Sequence, residues 1–151
     1  MTVPDPSAQV AEQLLRLTRK LHRAQKRYLD PIGITPAQSR LLRAVSHHDQ
    51  ASGAPRMADL AERLEVVPRA VTTLVDALEA NGAVRRVPDP ANRRVIRVEL
   101  TEDGRRTLRA LREARRSAVE EILAPLTAER RAALGGLLTE LLGGGPVPCG
   151  D

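Results

Sequence analysis

Aromatic side chains are almost missing from this sequence: Tyr28 is the single one, with no tryptophan and no phenylalanine in 151 residues. Rings bury the largest apolar areas, so any core has to be assembled from leucine, valine, isoleucine and alanine. That favours helices packed side by side, completed where needed by a partner subunit. Tyr28 itself reads as core filler, with a place in a pocket lining as the alternative. Cysteine is equally scarce. Cys149 stands alone, which excludes an intramolecular disulfide and a cysteine-based metal site and agrees with a reducing cytoplasm. Having no second thiol to pair with, it makes a poor oxidation sensor. No apolar run approaches the roughly 18 residues that a membrane span needs. The opening "MTVPDPSAQVAEQ" lacks the basic and apolar regions of a signal peptide. A cytoplasmic protein without a membrane partner is expected.

Catalytic signatures are missing as well. There is no Gly-rich phosphate loop, no nucleophile elbow and no zinc motif. Glu120 and Glu121 are neighbours in sequence, but adjacent residues on a helix face different directions. His22, His47 and His48 are too few and wrongly spaced for a metal site, and read as solvated surface. Neither an enzyme nor a cofactor or metal protein is expected.

Positive charge is what the chain does have, and it is unevenly spread. The formal net charge is +5, from 24 Lys and Arg against 19 Asp and Glu, and only Lys20 and Lys26 are lysine. Between Val84 and Arg116 stand eleven arginines and five acidic residues, a net +6 that leaves about −1 for everything else. A localised basic region on a near-neutral body is an electrostatic footprint for nucleic acid.

Hydrophobic spacing gives the elements. Ser7 is read as the N-cap of a first helix whose stripe is Val10, Leu14, Leu17, Leu21, Ala24 and Tyr28; Asp30-Pro31 ends it. Thr35 before Pro36 opens a second helix with Leu41, Leu42 and Val45 inward. Gly53 and Pro55 break the chain before a short third segment, Met57 to Leu64. Pro68 opens a fourth helix with Val71, Leu74, Val75 and Leu78 on one side, stopped by Asn81-Gly82. Two alternating segments follow, Val84 to Val87 and Val95 to Leu100, joined by a Pro-Asp-Pro-Ala-Asn turn flanked by arginines: a hairpin. Thr101 caps a long helix reaching about Leu123. Thr127 caps a last one, with a stripe of Leu134, Leu137, Leu138, Leu141 and Leu142. Residues 143–151 read as a loose tail.

Two short helices in tight succession, followed at once by a hairpin, describe a winged helix-turn-helix. The major groove of duplex DNA admits one α-helix, which must pack on one side and offer short polar or basic groups on the other. Here the free side holds Arg69, Thr72, Thr73 and Asp76. A hairpin beside such a helix reaches the next groove, and tip arginines such as Arg93 and Arg94 suit the concentrated negative potential of a narrow minor groove. Arg85, Arg86 and Arg97 belong nearer the root, toward phosphates or carboxylates. The competing readings are that these arginines only keep the hairpin soluble, or that the module works through protein or RNA contacts.

The stretch "LAERLEVVPRAVTTLVDALEANGAVRRVPDPANRRVIRVELTEDGR", Leu60 to Arg105, resembles the core of the MarR family of bacterial transcription regulators. The Leu-Ala pair, the proline opening the recognition helix, the Leu-Val-Asp…Leu-Glu…Asn-Gly run, the Arg-x-x-Asp-Pro start of the wing, the Arg-Arg tip and the Leu-Thr-x-x-Gly start of the next helix all match. The flanking helices follow the family's order, so the resemblance covers about Ser7 to Leu142. It implies one mainly α domain over residues 1–151: a winged core at about 35–100, dimerisation helices at about 7–30 and 101–142, and the tail. It also implies a homodimeric regulator of a pseudo-palindromic site, most often a repressor released by a small anionic or aromatic effector. The residues then expected at DNA are Arg56, Pro68, Arg69, Ala70, Thr72, Thr73, Arg86, Arg93 and Arg94. Those expected at the dimer interface are Val10, Leu14, Leu17, Leu21, Leu134, Leu137, Leu138 and Leu141. The residues themselves leave open whether these end stripes bury against each other in one chain or against a second copy.

Two positions depart from the family pattern. Asn92 stands where an aspartate that shapes the wing is common, leaving Asp89 or Glu99 to take its place. Val67 stands where a capping Ser or Thr often precedes the recognition helix, which leaves helix amides for a phosphate.

Overall fold

The structure, a computed structural model, describes residues 5–144. Its elements run α1 (Pro6–Leu29), a 3-10 turn (Asp30–Ile32), α2 (Pro36–Ser52), α3 (Met57–Leu64), α4 (Pro68–Ala80), β1 (Val84–Pro88), β2 (Ile96–Leu100), α5 (Glu102–Leu123) and α6 (Ala128–Leu141). They divide into two compact units, Ile32–Arg112 and a helical unit from the residues before and after it. The fold is mainly helical with one antiparallel hairpin, as the patterning predicts. Cys149 and most of the expected tail lie outside the described residues.

In the unit Ile32–Arg112, the capping signals set the helix limits. Thr35 Oγ1 accepts from Gln38 N at 3.1 Å while Gln38 Oε1 accepts from Thr35 N at 3.2 Å, a reciprocal cap ahead of Pro36. Gly53 closes α2 with φ of 77° and Gly82 follows α4 with φ of 76°, a left-handed backbone that favours glycine. Leu41, Leu42 and Val45 from α2, Leu60 from α3, Val71, Val75 and Leu78 from α4, and Val84 and Val98 from the hairpin are fully buried, with Leu108 and Leu111 of α5 beside them in the core. Leu74 is only half-buried. Each such aliphatic side chain stabilises by roughly 1.5–3 kcal/mol, so an aromatic-free core suffices. The strands pair from Val84↔Leu100 to Pro88↔Ile96. Val95, expected in β2, lies in the turn instead, its N–H donated to Asn92 O at 2.9 Å.

The start of α5 locks onto the α4–β1 turn. Thr101 N donates to Ala83 O at 3.1 Å, Thr101 Oγ1 donates to Gly82 O at 2.5 Å, and Gly104 N donates back to Thr101 Oγ1 at 3.0 Å. Gly104 is required here: a Cβ on it would lie 1.9 Å from Ala83 O.

In the helical unit, α1 starts earlier than Ser7. Asp5 is the N-cap, its carboxylate accepting from Ser7 N at 3.0 Å, with Pro6 at the first helical position. Thr127 caps α6, accepting from Arg130 N at 3.3 Å. Arg27 of α1 pairs with Glu121 at 2.7 Å and Arg131 of α6 with Glu120 at 2.9 Å, so the two adjacent glutamates face different helices. Tyr28 is exposed, not core filler. Val10, Leu14 and Leu17 of α1 and Leu137, Leu138 and Leu141 of α6 are each at least 42 % exposed, and Leu21 and Leu134 are half-buried, so the end stripes do not bury each other within one chain. Among the described residues, no helix is long and apolar enough to cross a membrane.

Candidate nucleic-acid interface

Helix α4 presents Pro68, Arg69, Thr72, Thr73 and Asp76 to solvent, and Ala70 is half-buried. The opposite side is held by Val71, Val75 and Leu78. Thr72 Oγ1 donates to Pro68 O at 3.2 Å and Thr73 Oγ1 to Arg69 O at 3.1 Å. With their protons turned inward, both hydroxyl oxygens present acceptor lone pairs and methyl groups to solvent. That chemistry suits the amino donors of adenine or cytosine and the thymine methyl. The Arg69 side chain makes no hydrogen bond or ion pair among the described residues. Val67 caps α4 with no side-chain hydrogen bond, so the helix N-terminus keeps its amides unsatisfied by any side-chain cap.

The wing turn is organised by Asp89. The residue is buried, and its side chain accepts from Ala91 N at 2.7 Å, Asn92 N at 3.2 Å and Arg97 Nε at 2.5 Å. The Ala91 N–H first, and the Arg97 guanidinium next, hold this carboxyl below the usual range for aspartate. Asn92 Oδ1 accepts from Arg94 N at 3.2 Å and so shapes the tip without a charge. The departure at position 92 is thus answered by Asp89.

The α2–α3 loop supports the root of the wing. Arg97 donates to Ala54 O at 2.6 Å, Val98 N donates to Pro55 O at 2.9 Å, and Arg56 bridges Arg97. His48, expected as solvated surface, is instead half-buried, with Nδ1 donating to Gly53 O at 2.7 Å. Arg56 is exposed, and Asp59 accepts from its backbone N at 2.9 Å. That backbone N–H is the main reason the Asp59 carboxyl lies below its ordinary value.

Arg86, expected at DNA, has a different neighbourhood. Its guanidinium donates to Asp76 at 2.6 Å and Glu79 at 2.8 Å, both on α4, and its backbone N donates to Glu79 at 3.0 Å. Asp76 first, then Glu79, raises the arginine's pKa. Arg85 is paired with Glu99 across the strands at 2.9 Å. Three of the five hairpin arginines, Arg85, Arg86 and Arg97, are therefore neutralised internally. Arg93 and Arg94 are exposed and their side chains have no partner among the described residues. Glu79 and the Ala54–Pro55 carbonyls escaped sequence reasoning: the former is a charge on a helix until folding brings Arg86 to it, and backbone groups have no sequence signature.

A sequence model of the MarR family matches residues 32–95. The chain is 31 % identical over 116 residues to the HTH-type transcriptional repressor MdtR of Bacillus subtilis, spanning 77 % of this chain and 72 % of MdtR. Among solved structures it is similar to the YusO protein from Bacillus subtilis, with a TM-score of 0.84 and 26 % identity over 96 % of this chain and 100 % of YusO. A mutant of S. aureus MepR bound to an oligodeoxyribonucleotide shares the fold, with a TM-score of 0.72 at 20 % identity over 88 % of this chain and 95 % of MepR.

Proposed function

The chain belongs to the MarR family of transcriptional regulators, and on that premise we propose that it is a cytoplasmic homodimeric repressor of a pseudo-palindromic DNA site. Helix α4 enters the major groove with Arg69, Thr72 and Thr73 at base edges and phosphates. The wing lays Arg93 and Arg94 in the adjoining minor groove. Arg56 and the N-terminus of α4 at Pro68 and Ala70 meet phosphates. The observation that supports this most is the selective pairing of charge: every arginine at the wing root is neutralised within the chain, while both at the tip, and Arg69 on α4, are left for an anion from outside. A hairpin whose arginines served solubility alone has no need of that division.

The second copy joins through α1 and α6. The exposed Val10, Leu14, Leu17, Leu137, Leu138 and Leu141 support this, because apolar side chains on two helices of one unit leave water most readily against a matching surface. A two-fold dimer sets its recognition helices about one DNA turn apart, roughly 34–36 Å. Release by a small anionic or aromatic effector belongs to the reading through family kinship alone.

The test is fluorescence anisotropy with the duplex upstream of the protein's own gene, beside a scrambled duplex, across a salt series. Tight, selective binding with a steep salt dependence is expected. The Arg93→Ser/Arg94→Ser variant loses affinity, and its slope of log K against log salt falls by about 0.9 for each phosphate contact removed. Equal, weak binding to both duplexes, unmoved by the variant, overturns DNA recognition.

A further inference from the structure

Arg69, Arg93 and Arg94 are not the only arginines of the unit Ile32–Arg112 left without an internal partner. The side chains of Arg40 and Arg63 also make no hydrogen bond or ion pair among the described residues, and they share one place. A cavity of about 310 Å³ between α2 and α3 is lined by Arg40, Arg43, Ala44, His47, Arg63 and Leu64. The α2 residues Arg40, Arg43 and His47 follow a three-then-four spacing that stacks them on one face, and Arg63 faces them from α3. Arg43 is steadied by its Nε, which donates to Ser39 O at 3.4 Å. No carboxylate is among the lining residues. Asp59 of α3 is taken by Arg56 and His48.

We propose that this cleft is a binding site for a phosphate group. Three arginines and a histidine line the space, and its only apolar residues are Ala44 and Leu64. That lining is mostly cationic and fits an oxyanion that can accept from guanidinium groups on both helices. A carboxylate holds its two oxygens in one plane; a phosphate group spreads its oxygens tetrahedrally, so donors from two helices can reach it from different sides. Crowded like charges repel one another, and an anion removes that repulsion. The position on the chain favours a phosphate of the DNA backbone: Arg63 and Leu64 end α3, just before the turn that leads into the uncapped α4 at Pro68. In that form the inference rests on the DNA reading above and lengthens its footprint. A free phosphate or phosphate ester is the other source of the same chemistry.

Both sources are tested with one variant, Arg40→Gln/Arg63→Gln, which keeps good helix formers at two surface positions. Duplex anisotropy across a salt series is the first arm. The second is the thermal midpoint of the DNA-free protein with sodium phosphate against sodium chloride at matched ionic strength. The paired surface arginines of α5, in Arg105→Gln/Arg106→Gln, serve as a charge-matched control. If the backbone is the source, the variant's salt slope falls by about 1–2 and the control's does not. If free phosphate is the source, the wild type is stabilised by phosphate, the variant is not, and the slopes agree. A wild type that reads no duplex yet shows this phosphate effect defeats the DNA reading and leaves the site standing. Unchanged slope together with equal phosphate response in wild type and variant overturns the site.

Discussion

Replacing Gly104 by alanine gives a sharp test of how the wing domain is closed. In an exposed helix the change stabilises by up to about 1 kcal/mol, because alanine is the better helix former. Gly104 is not in that situation. The new Cβ would lie 1.9 Å from Ala83 O and 2.9 Å from Ala83 C, whereas a carbon rests about 3.3 Å or more from a carbonyl oxygen. The start of α5 must therefore retreat by roughly 1.4 Å, taken as the difference between that resting distance and the 1.9 Å contact. Ala83 is backbone in a buried turn and cannot swing aside. The retreat stretches the bonds from Thr101 N to Ala83 O and from Thr101 Oγ1 to Gly82 O. Each such bond contributes about 1 kcal/mol, and overpacking adds about 1–3 kcal/mol. After the helix-propensity gain, a net loss of about 2–4 kcal/mol is expected, or some 5–15 °C in Tm for a chain this size. Circular dichroism melts of the two proteins check it. An unchanged or raised midpoint would refute the packing argument, since it would mean that α5 does not bear on Ala83. Because Thr101 follows β2 directly, the same variant is expected to weaken duplex binding.

Arg86→Gln is expected to lower duplex affinity with the salt slope intact, because it unmasks Asp76 and Glu79 on the recognition helix and removes no phosphate contact. Adding Asp76→Asn and Glu79→Gln should then restore affinity; a slope lowered by about 0.9 would instead mark Arg86 as a phosphate ligand. The carboxyls of Asp89 and Asp59 lie below their ordinary values in the folded chain. Groups depressed on folding stabilise at pH above the unfolded value of about 3.9, and that contribution is lost as pH falls through the lower folded values. Melting temperature should therefore drop on acidification below about pH 4, and Asp89→Asn, already deprived of its share, should show a shallower drop in the same titration. Leu137→Lys with Leu141→Lys, at side chains 59 % and 72 % exposed in one chain, should yield a folded monomer by light scattering; an unaltered dimer mass would rule α6 out of the interface.

Much of the fold is written in local chemistry. Thr35-Pro36, Thr101 and Thr127 each sit where a helix begins, and Asn81-Gly82 where one ends, because caps and left-handed glycines act within a few residues. The same rule read fully would have moved the first cap to Asp5, since a proline at the first helical position points to the residue before it. What stayed hidden depends on distant residues meeting. Arg85 and Arg86 are identical in composition, yet strand alternation sends one to Glu99 and the other to α4. Arg86 is ten residues from Asp76 and seven from Glu79, with a helix stop and turn between, so its neutralisation is a product of tertiary folding. His48 likewise gained a role only when the α2–α3 loop curled a carbonyl back to it.

The contact between that loop and β2 has a consequence for how copies of this protein avoid one another. A two-stranded ribbon has two open edges, each a row of unpaired amides and carbonyls able to recruit a strand from another molecule. On β2 the outer side is occupied where it matters: Val98 N is taken by Pro55, and the Arg97 guanidinium by Ala54. On β1 the outer side ends in Pro88, which has no amide to offer, and the Arg86 amide is taken by Glu79. The ribbon is thus closed to growth along one edge and blocked by a carboxylate and a proline along the other. In the dimer proposed above, the exposed leucines of α1 and α6 are then the surface left for a second chain.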